Sequence, residues 1–240
     1  MNIERFYGKF KIIKSGSIIS LIRLSSIKIM LTAFTAALLL ITISELGDKT
    51  FFIAVILSSK YNRKVVFAGV VAALATMTVI SVAVGQIFSF LPQIYIHYAE
   101  IILFALFGVK LLYDASKMPK ELGTNDEQVE AVEAVEKADS KFAKGKTKWK
   151  ILLESFILTF VAEWGDRTQI ATIALATFHN PIGVIMGGIV GHTICAAIAV
   201  LGGKLIAGRL SERTITIIGG CLFLVFSAIA LFRGVESSVA

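Results

Sequence analysis

Residues 45–50 read Glu-Leu-Gly-Asp-Lys-Thr, and residues 163–168 read Glu-Trp-Gly-Asp-Arg-Thr. Each stretch sits inside an apolar run long enough to cross a bilayer, which takes roughly 20 residues. Each places three charged side chains within five residues. On insertion scales an intramembrane charge costs about 2.5–3.5 kcal/mol. Such a cost persists only where the charges compensate one another or are used.

The two stretches lie 118 residues apart (163 less 45). The same offset carries Asn62 onto Asn180, Gly69 onto Gly187 and Gly85 onto Gly203. Chance similarity between apolar runs does not align a charged hexapeptide, an asparagine and two glycines in one register. The chain therefore reads as two homologous halves of three spans each. An odd number of spans per half means that the second half inserts upside down. Inverted repeats of this kind recur in secondary transporters, with the site near the midplane where the halves meet.

The rest of the sequence agrees with a membrane protein. Of 240 residues, 56% are hydrophobic and only 17% charged, against about 25% charged in soluble domains. Mean hydropathy is +0.79. The expected fold is an all-α integral membrane protein with six transmembrane helices, at about 31–57, 65–90, 97–115, 151–178, 182–208 and 213–233. Lys60–Lys64, Pro92, His179-Asn180-Pro181 and Ser211-Glu212-Arg213 mark the breaks. The organisation follows: a basic N-terminal segment 1–30, a first three-helix repeat 31–115, a charged linker 116–150, a second repeat 151–233 and a tail 234–240.

The linker runs from acidic (Glu121 to Asp139) to basic (Lys141 to Lys150) and has few large apolar residues. It cannot bury a core of its own and reads as solvated, with helix around Val129–Lys137. The first 30 residues carry Arg5, Lys9, Lys11, Lys14, Arg23 and Lys28. They read as a targeting or surface-lying segment, or as an extension upstream of Met30, rather than a span. Lys60, Arg63, Lys64, the linker lysines, Arg209 and Arg213 fall on one side of the membrane. The positive-inside rule makes that side cytoplasmic; the basic N-terminus, on the other side, goes against the rule. The net charge of +7 then serves topology and contact with lipid headgroups rather than nucleic acid.

The motif residues define the chemistry. If the helices run on unbroken, Glu45 and Asp48 share a face, as do Glu163 and Asp166. Lys49 and Arg167 lie four residues beyond the glutamates. Gly47 and Gly165 permit local unwinding that turns carbonyls toward a cation. Thr50 and Thr168 add hydroxyl oxygens. These are hard donors, suited to Ca²⁺, Mn²⁺ or Mg²⁺. Each motif carries two acids and one base, so two facing motifs match one divalent ion or two protons, which can compete for the same oxygens. A purely structural reading pairs Glu45 with Lys49 and Glu163 with Arg167. It leaves Asp48 and Asp166 without partners unless each meets the base of the other half.

Other residues carry less. Gln169 stands where the first half has Phe51, and its amide is a candidate ion ligand. His192 stands where the first half has Leu74, a candidate for proton passage or a packing residue. Thr76, Thr78 and Thr193 suit bonding to helix carbonyls, and Gly187, Gly188 and Gly191 suit close packing. Cys195 and Cys221 read as small packing residues. No P-loop, catalytic triad or HExxH motif is present, so neither ATP-driven work nor enzyme activity is expected.

The doubled E-x-G-D-[KR]-[ST] pattern resembles that of the Ca²⁺/Mn²⁺–proton antiporters of Golgi, chloroplasts and cyanobacteria. The resemblance spans about residues 31–233, and both copies match in full. It implies that Glu45, Asp48, Glu163 and Asp166 bind the transported ion. It also implies export of manganese or calcium from the cytoplasm against protons, across a bacterial inner, thylakoid or organelle membrane. Rival readings are an exporter of amino acids or other organic cations, a non-transporting scaffold or assembly factor, and an intramembrane hydrolase. The sequence is compatible with a homo-oligomer and does not separate Mn²⁺ from Ca²⁺.

Overall fold

The computed structural model describes residues 3–118, 126–141, 147–206 and 211–233. Among these the chain is helical: α1 (Ile3–Glu45), α2 (Lys49–Lys60), α3 (Arg63–Phe88), α4 (Gln93–Lys117), α5 (Asp126–Lys141), α6 (Lys148–Ala162), α7 (Arg167–Phe178), α8 (Pro181–Ile206) and α9 (Glu212–Arg233).

The helix ends follow from the sequence. Asn62 precedes α3 and its side chain accepts from Lys64 N at 3.1 Å. Asn180 precedes α8 and accepts from Gly183 N at 3.0 Å. Side-chain acceptors of this kind satisfy the orphan N–H groups of a first helical turn. Pro181 opens α8, where its missing N–H costs nothing. At both motifs the backbone turns left-handed, with φ +80° at Gly47 and +84° at Gly165. That conformation is open to glycine and strained for other residues.

The first expected span is thus broken at its motif into α1 and α2, and the fourth into α6 and α7. Five described helical stretches are long and apolar enough to cross a membrane: Leu24–Glu45, Arg63–Phe88, Gln93–Lys117, Pro181–Gly202 and Arg213–Arg233. Helices α6 and α7, at 15 and 12 residues, are each too short alone. Helix α1 continues through Met30 without a break, so its apolar stretch begins earlier than residue 31.

The 118-residue offset reappears in the elements. Helices α2 and α7 start and end at equivalent residues, and so do α3 and α8. Packing follows the same exchange. A Cβ on Gly69 of α3 would sit 2.6 Å from the carbonyl oxygen of Leu152 on α6. A Cβ on Gly187 of α8 would collide with the carbonyl oxygen of Phe34 on α1. Phe34 and Leu152 are themselves 118 apart, so one close approach occurs twice with the halves swapped. Gly188 and Gly191 also meet α1, at Ile41 and Leu38, as small residues at helix interfaces do.

Helix α4 packs along α9 through Phe104, Phe107 and Phe223. Apolar side chains such as Leu106, Val109, Leu201, Val225 and Phe232 remain on the outside. A bilayer would cover such a surface, and the chain is a multi-pass membrane protein. Part of the linker forms a helix that packs on the bundle. Helix α5 presents Ala131 and Val135 to α2, and both are fully buried. Ala131 and Val135 lie four apart, with the half-buried Ala134 and Ala138 beside them, enough to make one docking stripe.

Candidate metal centre

The two breaks put the motif acids at helix ends. Glu45 closes α1 and Asp48 precedes α2; Glu163 follows α6 and Asp166 precedes α7. The acids of a motif are therefore not neighbours on one continuous helix face, as an unbroken span would have them. The left-handed glycine between them changes the direction of the chain. Each break is closed by the same bond, from Asp48 N to Glu45 O at 3.3 Å and from Asp166 N to Glu163 O at 3.2 Å.

The threonines repeat as closely. Thr50 Oγ1 donates to Glu45 Oε2 and Thr168 Oγ1 to Glu163 Oε2, each at 3.1 Å. Both glutamates are only 2% exposed. Their second oxygens, Glu45 Oε1 and Glu163 Oε1, are buried without a hydrogen-bond partner. Glu45, Asp48 and Glu163 each offer a carboxylate oxygen, and these oxygens lie within 4.8 Å of one another. Among the described residues this is the cluster of acidic, histidine or cysteine side chains close enough to share one metal ion. Buried polar atoms are normally paired, so two glutamates with an unpartnered oxygen each, beside a third carboxylate, are residues that could hold a cation.

The aspartates and bases break the symmetry. Asp166 caps α7, accepting from Thr168 N at 3.2 Å and Thr168 Oγ1 at 3.1 Å. Asp48 makes no such cap; instead Arg167 Nη2 donates to Asp48 Oδ1 at 2.9 Å. The cross-half pair is thus formed by Arg167. Lys49 instead reaches Glu130 of α5 at 2.8 Å. Neither base takes the glutamate of its own motif as its ion-pair partner.

The remaining candidates fall around this centre. Gln169 Oε1 accepts from Gly165 N at 2.7 Å and its Nε2 meets Met77 Sδ at 3.0 Å, so its amide ties the second break to α3. His192 is buried with Nδ1 unpartnered. Thr76, Thr78 and Thr193 each donate to a carbonyl four residues back. Cys195 and Cys221 are free thiols, and Cys195 Sγ lies 3.3 Å from Thr42 O. Sequence reasoning missed Glu130 as the partner of Lys49. The stripe of Ala131 and Val135 was the available signal.

This arrangement defines a class: a multi-pass helical membrane protein with a buried acidic centre where two interrupted helices meet. The family model described as "Divalent cation/proton antiporter GDT1" matches residues 33–119 and 151–238. The chain belongs to that family, a family of transporters rather than enzymes.

It is 58% identical over 201 residues to the GDT1-like protein sll0615 of Synechocystis, covering 84% of this chain and 97% of that one. It is 45% identical over 215 residues to the rice GDT1-like protein 2, chloroplastic, covering 85% of this chain and 62% of that protein. Protein PAM71-homolog, chloroplastic, of Arabidopsis is 41% identical over 213 residues, covering 84% of this chain and 59% of that protein. No solved structure matches.

Proposed function

We propose that this protein exports a divalent cation, Mn²⁺ or Ca²⁺, from the cytoplasm in exchange for protons. Glu45, Asp48, Glu163 and Asp166 carry the ion, supported by Gly47, Lys49, Thr50, Gly165, Arg167, Thr168 and Gln169. The observation that carries this reading is the pair of orphaned oxygens, Glu45 Oε1 and Glu163 Oε1, inside a three-carboxylate cluster. Family membership supports a divalent cation/proton antiporter. Oxygen donors favour a hard ion.

The charge balance supports exchange. Lys49 is engaged with Glu130, so the motif carboxylates face one nearby guanidinium, that of Arg167. A divalent cation or protons would each relieve the excess of negative charge. A carboxylate oxygen that ligates the metal is not free to hold a proton, and this competition couples the two fluxes.

In this reading α1–α2 act together as one crossing and α6–α7 as another, giving six crossings in two inverted repeats. The swapped packing of Gly69 and Gly187 supports that symmetry. Broken helices whose ends meet at a site recur in secondary transporters. The linker side is the cytoplasmic one by its basic loops. A bacterial or cyanobacterial inner or thylakoid membrane fits the Synechocystis relative.

The test is uptake into proteoliposomes carrying a pH gradient, comparing Mn²⁺, Ca²⁺ and Mg²⁺ with simultaneous recording of proton release. Uptake of Mn²⁺ or Ca²⁺ with stoichiometric proton movement in the opposite direction is expected. Divalent transport indifferent to pH, or no divalent transport, overturns the proposal.

A further inference from the structure

A second polar region lies away from the acidic centre, at the membrane face opposite the linker. A cavity of about 280 Å³ opens between Thr32 of α1, His97 and Glu100 of α4, His179 after α7 and Arg233 of α9. A second cavity of about 190 Å³ shares Thr32, Glu100, His179 and Arg233 and extends along α1 to Leu39. Leu39 is six residues before Glu45 on α1, about 9 Å along a helix axis. The two cavities share four lining residues and form one chamber on the far side of the motif.

His97 and Glu100 are each 5% exposed. They are three residues apart on α4 and share a face. His97 Nδ1 and His179 Nδ1 are buried without hydrogen-bond partners. Arg233 Nη1 and Nη2 both lie 3.4 Å from His179 Nε2. A guanidinium only donates, so Nε2 accepts and His179 is neutral, with its N–H on Nδ1. The charged and titratable groups lining the chamber are therefore His97 and Glu100 from α4, His179 from the end of α7 and Arg233 from α9. The α1 wall contributes Thr32 and no titratable side chain.

An ionisable carboxyl buried at membrane depth is by default a functional group. A metal ion is a poor occupant here, because the single carboxylate shares the chamber with a guanidinium. A proton needs no ligand cage. It needs one carboxylate, a neighbouring imidazole and a polar route to the far face, all of which are present.

We propose that this chamber is the proton-loading vestibule of the exchanger. Glu100 takes up the counter-transported proton from the side opposite the linker, and His97 passes it to and from the cavity. Arg233 and His179 hold the facing wall. The proposal rests on the antiport reading above and extends it to residues outside both motifs.

The experiment separates the two readings. Reconstituted wild type, Glu100→Gln, Glu100→Asp and His97→Gln are compared in two assays. One is Mn²⁺ uptake driven by a pH gradient; the other is exchange of radioactive Mn²⁺ for Mn²⁺ at equal pH, which moves no net protons. Glu100→Gln and His97→Gln should lower gradient-driven uptake by about a hundredfold or more, the scale of losing one proton-transfer group. Exchange should stay within about twofold, and Glu100→Asp should restore most of the driven uptake. Unchanged driven uptake in Glu100→Gln overturns the proposal, and so does equal loss of both activities, which marks a structural role. If wild-type Mn²⁺ uptake is indifferent to the pH gradient, antiport itself is wrong and the proposal falls with it.

Discussion

Arg167 of the second motif donates to Asp48 of the first across 2.9 Å, whereas Lys49, at the equivalent place, turns to Glu130 of the linker helix. One motif sequence thus gives two environments. Asp48 is held by a cross-half ion pair, and Asp166 is held by the start of its own helix.

Arg167→Gln should therefore cost more than Lys49→Gln. Breaking a fully buried pair costs about 3–5 kcal/mol. The Arg167 side chain keeps 31% of its surface exposed, so about 1–3 kcal/mol is expected here. Glu130 is 61% exposed, which puts Lys49→Gln at about 0.2–1 kcal/mol. Thermal unfolding in detergent, with Asp48→Asn and the double variant completing a cycle, measures the difference. Equal costs would contradict the asymmetry.

The threonines should behave as a matched pair. Each donates one hydrogen bond to a buried glutamate at the same distance. Hydrogen bonds to charged groups contribute about 1.5–3 kcal/mol. Thr50→Val and Thr168→Val should each weaken cation affinity by about tenfold, the lower end of that range. Titration of Mn²⁺ binding to the purified protein checks it.

The two glycines at the breaks should not be equivalent. Both have positive φ, so alanine at either costs about 1–2 kcal/mol for the left-handed backbone alone. At Gly47 an added Cβ would also lie 3.1 Å from Ile215 Cδ1, while at Gly165 nothing lies within 4 Å. Gly47→Ala should lower the melting temperature further than Gly165→Ala, and the reverse order would contradict the packing described.

The linker helix gives a fourth test. Ala131 and Val135 are fully buried against α2. Ala131→Asp or Val135→Asp would place an unpaired charge there and should release α5. Limited proteolysis should then cut within residues 126–141 much faster than in the wild type, while an exposed control such as Glu136→Gln leaves the rate unchanged.

Much of this was legible in the sequence, for reasons that can be named. The doubled hexapeptide, Asn62 with Asn180, and Gly69 with Gly187 sit at positions where helix ends and close approaches restrict residue type. The register of the elements therefore followed from them. The breaks at Gly47 and Gly165 were foreshadowed only as tolerance for unwinding, because an apolar run looks the same whether its helix is whole or interrupted. The choice of Arg167 over Lys49 as the cross-half partner depends on where α5 docks. The charges of α5 hid its small apolar stripe, so the linker read as solvated. His179 served only to mark a break between helices, and His97, Glu100 and Arg233 gave no signal. A chamber assembled from four separated helices leaves no local pattern.

The central claim is that Glu45 and Glu163 form one cation centre. It is tested most directly by Mn²⁺ and Ca²⁺ binding to purified wild type, Glu45→Gln, Glu163→Gln and the double variant. The account predicts one ion per chain in the wild type, and about a hundredfold or greater loss of affinity in either single variant, as expected for removing a charged ligand from a buried site. It also predicts no comparable further loss in the double variant. Wild-type affinity in both single variants, or two independent sites each lost separately, would contradict it.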